Sequence, residues 1–237
     1  MEGLLLLPPV LESTLPVPHA KPPQPVFEGL WAFSPNRDSL GGSSYLLRTG
    51  AGNLLIDSPA LAPENLEWLD SNGGVSTLVI THRTAIARAQ QLQERYGCRI
   101  VIQEQEAYLL PEAEVTPFEQ SAELAPGVEV FWTSGHTPGS SCVHWSSEGG
   151  VLFPGRHLLP TRSGGLTPLR SAKTFHWPRQ LRACRSLLER FSPETLHWLC
   201  PGASIGYLKG EKAIAKAYAL LAALDFETLA RMEAISL

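Results

Sequence analysis

Three segments of this chain share one form, an apolar run that ends in a short polar turn carrying chemically capable side chains. They are Leu78-Val79-Ile80-Thr81-His82, Thr133-Ser134-Gly135-His136-Thr137-Pro138-Gly139-Ser140 and Val151-Leu152-Phe153-Pro154-Gly155-Arg156. Mixed α/β sheets gather ligands at the carboxyl ends of their strands, so His82, His136 and Arg156 are expected to converge. Imidazoles in such a place ligate metals or move protons. A guanidinium holds a carboxylate or phosphate through two parallel hydrogen bonds. Thr137-Pro138-Gly139 reads as a turn with proline second and glycine third, which would fix the direction of His136. Other chemistries lack their signatures. Ser43-Ser44 and Ser140-Ser141 have no nucleophile-elbow context, and the Ser163-Gly164-Gly165-Leu166 loop has no following Lys-Ser/Thr to cradle a phosphate.

The elements that must position these turns can be read from periodicity. Val26–Phe33, Ser44–Arg48 and Asn53–Asp57 read as strands, separated by glycine-bearing turns. Pro63 suits the first turn of a helix that runs through Trp68. Val75–Thr81 reads as a strand buried on both faces, followed by a helix with Ala85, Ala89, Leu92 and Tyr96 on one side. Arg99–Ile102 is a short strand. The second half repeats the scheme with strands Val128–Thr133, Ser141–Trp145 and Val151–Phe153, a helix over Gln180–Phe191, a strand over Thr195–Cys200 and a closing helix marked by Ile214, Ala217, Tyr218 and Leu221. Strands followed by strand–helix alternation, twice over, predict mixed sheets covered by helices. Seven prolines in the first 25 residues predict an extended arm over residues 1–25, free to lie across the domain or to meet a partner. Residues 26–237 then form one domain.

Composition narrows the classes. The chain has 237 residues, 43% hydrophobic and 18% charged, enough for a substantial core and unlike a disordered chain. With 19 Lys+Arg against 23 Asp+Glu, the net charge of −4 gives no general attraction to nucleic acid, and basic residues do not interleave with aromatics in a stripe. Cys98, Cys142, Cys184 and Cys200 lie far apart with no CxxC, so they read as reduced, mostly buried thiols. Leu4 to Leu7 is too short for a signal core, and no run approaches a membrane span. The expectation is a cytoplasmic protein.

The order and spacing of Tyr45-Leu46-Leu47, Leu54-Leu55-Ile56-Asp57, Val79-Ile80-Thr81-His82, Gly135-His136-Thr137-Pro138-Gly139-Ser140, Leu152-Phe153-Pro154-Gly155 and Pro201-Gly202 carry a resemblance. From about Val26 to about Leu208 the chain resembles the metallo-β-lactamase superfamily, the αββα fold of glyoxalase II and its relatives. The resemblance implies two mixed sheets flanked by helices and a two-metal hydrolase site, and it implies Asp57 as a residue that orients a histidine from outside the metal's own ligands. The implied ligand loop is His-x-His-x-Asp-His, and this chain has His82-Arg83-Thr84-Ala85-Ile86-Ala87. His136 matches a further ligand. Arg156 stands where the bridging Asp is implied, and Ala203 where the last histidine is.

Two imidazoles fall short of the three protein ligands that a catalytic zinc usually has, and a guanidinium beside a dication is repelled. The expectation is therefore a non-catalytic protein, with no cofactor, whose vacated pocket binds a small anion or an acidic side chain of a partner protein. Its expected binding residues are His82, Arg83, Thr84, His136, Arg156 and Asp57. Arg88, Arg162, Arg170 and Lys173 lie near these in sequence. Arg156 has a second possible role, pairing internally with an acid such as Asp57. The alternative function is a divergent hydrolase with a single zinc or iron on His82 and His136 and a third ligand from His157, His144 or His176.

Overall fold

The structure is a computed structural model, and it describes residues 20–234. The expected arm lies outside the described residues as far as residue 19, and Gln24 and Pro25 already belong to the first strand. One sheet has seven strands in sequence order: β1 (Gln24–Phe27), β2 (Leu30–Ala32), β3 (Tyr45–Thr49), β4 (Gly52–Ile56), β5 (Thr77–Ile80), β6 (Arg99–Gln103) and β7 (Val115–Phe118). The first four pair antiparallel, and β4 through β7 pair parallel. The second sheet is built from β8 (Ser121–Ala125), β9 (Val128–Trp132), β10 (Ser141–Trp145) and β11 (Val151–Phe153). After the small ribbon of β12 (Leu159–Pro160) and β13 (Leu166–Thr167), it is completed by β14 (Trp198–Leu199) and β15 (Ile214–Ala215).

Helices cover the outer faces. α1 (Pro63–Ser71) and α2 (Ala89–Tyr96) are the crossovers between β4, β5 and β6, and the single turn α3 (Glu104–Ala107) follows β6. α4 (Trp177–Arg190), α5 (Ala217–Ala222) and α6 (Phe226–Arg231) belong to the second half. The layering follows from strict alternation along the strands. In Leu54-Leu55-Ile56, Leu54 and Ile56 face the other sheet while Leu55 meets the helices. Val79 likewise turns inward between Leu78 and Ile80. Val130, Val143, Val151 and Phe153 supply the opposing inner face, and Cys142, Leu152 and Leu199 pack outward on Cys184 and Leu187 of α4. Unbroken apolar runs are what a sheet buried on both faces requires, and the result is the expected αββα sandwich.

Several boundaries differ from expectation. Val26–Phe33 is a hairpin, β1 and β2, interrupted at Gly29, whose φ of 76° makes the turn. The helix expected from Ala85 starts at Ala89, and Arg83–Ala85 is a separate 3-10 turn. Ile214 belongs to β15 and not to the closing helix. Thr195–Cys200 contracts to β14, because Thr195 is used in the turn that ends α4. β7, β8, β12 and β13 have no counterpart among the strands expected from the sequence. Pro117 breaks the strand pattern of β7, and it is tolerated there because β7 is the sheet's edge. All four cysteines are free and buried. Among the described residues no helix is long and apolar enough to cross a membrane.

Candidate functional site

β4, β5, β9 and β11 all deliver their following residues to one end of the sandwich. Asp57 follows β4 in the left-handed region at φ 61°, a conformation in which aspartate is among the better-tolerated residues. The turn lets its carboxylate reach across to the end of β5. Oδ1 accepts from the Thr81 N–H at 2.8 Å and Oδ2 from the Thr81 hydroxyl at 2.7 Å. The same hydroxyl lies 2.9 Å from His82 Nδ1. A hydroxyl has one proton, and an ionised carboxylate only accepts. With Asp57 ionised, Thr81 therefore donates to Asp57 and accepts from His82 Nδ1–H. His82 Nε2 is left as a bare lone pair, buried and without a partner. Asp57 thus orients the histidine through Thr81, not by direct contact.

The His136 ring lies 5.6 Å from the His82 ring, centroid to centroid, and its Nδ1 is also buried and unpartnered. The turn that holds it closes as expected, with the Ser140 N–H on the Thr137 carbonyl, but Gly139 is not in a positive-φ conformation. Glycine is needed there for space, since a Cβ would stand 2.7 Å from Glu106 Cγ. Glu106 itself is fully buried, with Oε1 bonded to Arg83 Nε at 2.9 Å and Oε2 unpartnered. Sequence reasoning missed this acid. Its only signal was position, in the turn after β6, a third strand end of the same parallel set.

Arg156 makes no ion pair with Asp57, although each charge acts on the other. Its guanidinium donates to the carbonyls of Ser39 and Leu40 at 2.8 and 2.6 Å, in the loop before β3, and its Nε–H is buried without a partner. The backbone of Gly155 is packed so tightly on Thr81 and His82 that a Cβ would lie 2.3 Å from Thr81 Oγ1 and 3.2 Å from His82 Nδ1. Arg156 is thereby held next to the His82 turn. Thr84 Oγ1 is buried and unpartnered, and the positions implied for other ligands are occupied by Ile86, Ala87 and the buried Ala203.

Burial dominates the titration of the site. It pushes Asp57 up to about 7, against the opposing pull of its two Thr81 bonds and of Arg156. Burial holds His82 well below its usual value, helped by His136 and Arg156. His136 is lowered to about 4, by burial first and then by Arg156 and Arg83. His157 is lowered to about 3 by burial and His136. The imidazoles are therefore neutral at physiological pH, and the site's positive charge is that of its guanidiniums.

The remaining candidates separate by location. His157 is fully buried beside this group, with Nε2 3.4 Å from Cys184 Sγ and Nδ1 unpartnered. His144 points away, bonded to the Thr195 carbonyl and stacked on Phe191. His176 caps α4 by accepting from the Arg179 N–H. Arg88 pairs with Asp38, Arg162 covers Tyr207, Arg170 donates to the Met232 carbonyl, and Lys173 is exposed. The donor set does not fit a two-metal centre, and among the described residues no group of three or more His, Cys, Asp or Glu side chains is placed to hold a metal ion.

The sequence model described as the metallo-beta-lactamase superfamily matches residues 24–196. Among solved structures, a metallo-beta-lactamase from Pontibacter korlensis is 19% identical, with a TM-score of 0.69 over 90% of this chain and 100% of that one. A metallo-beta-lactamase family protein from Thermus thermophilus is 21% identical, with a TM-score of 0.62 over 87% of this chain and 81% of that one. The DIM-1 metallo-beta-lactamase is 21% identical, with a TM-score of 0.69 over 90% and 97%. At these identities the structural likeness concerns the fold. No curated protein matches.

Proposed function

Because the chain belongs to the metallo-beta-lactamase superfamily, we propose that it is a non-catalytic member whose strand-end site binds a small anion or the acidic side chain of a partner protein in place of metal. One observation carries this reading. Arg156, where the resemblance implies an acid, keeps a buried donor unpartnered, in a cluster with His82 and His136, whose rings lie 5.6 Å apart, on both of which its charge acts and which also bury unpartnered ring nitrogens. Buried polar groups in folded proteins are nearly always bonded, so such a cluster marks a site that lacks its occupant. Arg83 is already paired with Glu106, whereas Arg156 donates only to carbonyls and among the described residues no carboxylate pairs with it, so Arg156 is the cation that an anion would meet. The proline-rich residues 1–25 offer a second place to meet a partner.

Calorimetric titration with acetate and inorganic phosphate, on wild type and Arg156→Met, tests the reading. Binding that is lost in the variant supports it, and no binding to wild type overturns it. The unpartnered His82 Nε2 and His136 Nδ1 favour a second reading, a single zinc or iron serving a hydrolase. Metal content of untagged protein decides between the two. Stoichiometric zinc or iron that disappears in both His82→Ala and His136→Ala would replace the anion reading.

A further inference from the structure

A groove between α4 and α6, in the outer helix layer, has no part in the strand-end site. Both helices present rows at four-residue spacing to it. Trp177, Leu181 and Arg185, with Arg182 beside them, come from α4, and Phe226 and Ala230 come from α6. Residues four apart lie one above the other on a helix, so each row forms a continuous wall. The walls are tied together. The Trp177 indole N–H donates to the Leu229 carbonyl at 3.0 Å, Arg170 donates to the Met232 carbonyl, and the Arg185 guanidinium lies 4.9 Å from the Phe226 ring centroid.

Between the walls is a space of about 220 Å³. That is less than the roughly 300–1,000 Å³ of a site for a drug-sized ligand, so the groove suits a short one. Trp177 and Leu181 are buried and give it an apolar floor, while Arg182 and Arg185 are exposed at its rim. No Asp or Glu lines the groove. Among the described residues neither guanidinium has an acid partner. Residues 149–188 contain seven Lys or Arg and no Asp or Glu, in a chain of net charge −4, so this side of the molecule is locally cationic. An apolar floor alone would accept any small hydrophobe. Two guanidiniums without acid partners at its rim add a preference for a carboxylate, which each can hold through paired N–H donors.

We propose that this groove binds short apolar carboxylates, with the hydrocarbon tail on Trp177, Leu181 and Phe226 and the head on Arg182 and Arg185. The strand-end site shares none of these residues, and the inference does not rest on the reading of that site.

The experiment titrates the full chain calorimetrically with acetate, butyrate, hexanoate and 1-hexanol. Hexanoate is expected to bind with a dissociation constant of about 1 mM or below. Affinity should rise about fourfold per methylene from acetate to hexanoate, as each methylene leaves water. Hexanol, which lacks the charged head, should bind at least about tenfold more weakly. Ala230→Leu fills the groove from an exposed helical position and is expected to weaken hexanoate at least about tenfold. The double variant Arg182→Met, Arg185→Met is expected to bring hexanoate and hexanol to similar affinity. No hexanoate binding at about 10 mM, equal binding of hexanol by wild type, or binding that survives Ala230→Leu overturns the proposal. Hexanoate binding lost in Arg156→Met and kept in Ala230→Leu would assign the ligand to the strand-end site, which also overturns it. A wild-type dimer in sedimentation that Ala230→Leu dissociates would give the groove to a second copy of the chain, with the same consequence.

Discussion

The inter-sheet core and the strand-end site are made by the same strands and treat buried groups in opposite ways. Between the sheets, Leu54, Ile56 and Val79 meet Val130, Val143 and Phe153 with no polar atom among their side chains. Two residues beyond β5, and three beyond β11, His82 and Arg156 bury polar atoms with nothing to bond them. The core gains from every apolar surface removed from water, whereas the site bears the desolvation of groups whose partners it lacks. The difference teaches that the stability of this fold resides in the sandwich. The strand ends are therefore free to hold an arrangement suited to a ligand and costly without one.

That contrast can be broken at several points, beginning with the core. Phe153→Ala removes a ring that is 1% exposed and packed 5.3 Å from Tyr45, so a loss of about 3–5 kcal/mol is expected in urea denaturation. A loss below about 1 kcal/mol would remove the core from its supposed role.

The next largest effect is on pH dependence, where the site alone should speak. Asp57 is raised from 3.8 to about 7, so between those values the folded protein holds a proton that the unfolded chain has lost. This group by itself makes stability fall as pH rises through that window. His136 and His157 are lowered from 6.5 to about 4 and about 3. Below about 6.5 unfolding takes up protons on them, and stability falls as pH drops. His82 is lowered in the same direction. Three imidazoles outweigh one carboxyl, so stability is expected to fall by about 1–3 kcal/mol per pH unit below about 6.5. Denaturation midpoints at several pH values measure this. A profile unchanged by His136→Gln would dissociate the slope from the site.

Gly139→Ala brings a methyl within 2.7 Å of Glu106 Cγ and is expected to cost about 1–3 kcal/mol by overpacking. Glu106→Gln should leave that cost in place, because the clash is with the aliphatic stem. Arg156→Met is the smallest change. It gives up two bonds to carbonyls but relieves a desolvated charge and an unpartnered Nε–H, so stability should stay within about 1 kcal/mol of wild type. A large loss would mean that Arg156 is structural filling and that the contrast between core and site fails.

Much of this was legible before any coordinates. The strands through Leu55, Val79, Val143 and Leu152 announced themselves as apolar runs bounded by turns. His82, His136 and Arg156 were expected to converge because each follows such a run. Glu106 was not legible, since a glutamate after a short strand looks like any surface acid. Its burial depends on the Gly139 turn arriving from the other sheet. β7, β8 and β15 were hidden because edge strands need little apolar alternation, and Pro117 disguised the first of them.

The sequence by itself determined the sandwich and the types of residue at its strand ends, because period-two burial and turn chemistry act over a few neighbouring residues. It also determined that Ile86, Ala87 and Ala203 have no side-chain lone pairs to offer a metal. Only the tertiary structure decided where each proton and charge goes. It tied Arg156 to the Ser39 and Leu40 carbonyls, 116 or more residues away in the chain, and not to Asp57. It also placed Thr81 between Asp57 and His82. Hydrogen bonds are directional and act over about 3 Å, so their partners are set by which strand ends are brought together, a property of the packed sheets and of no single segment.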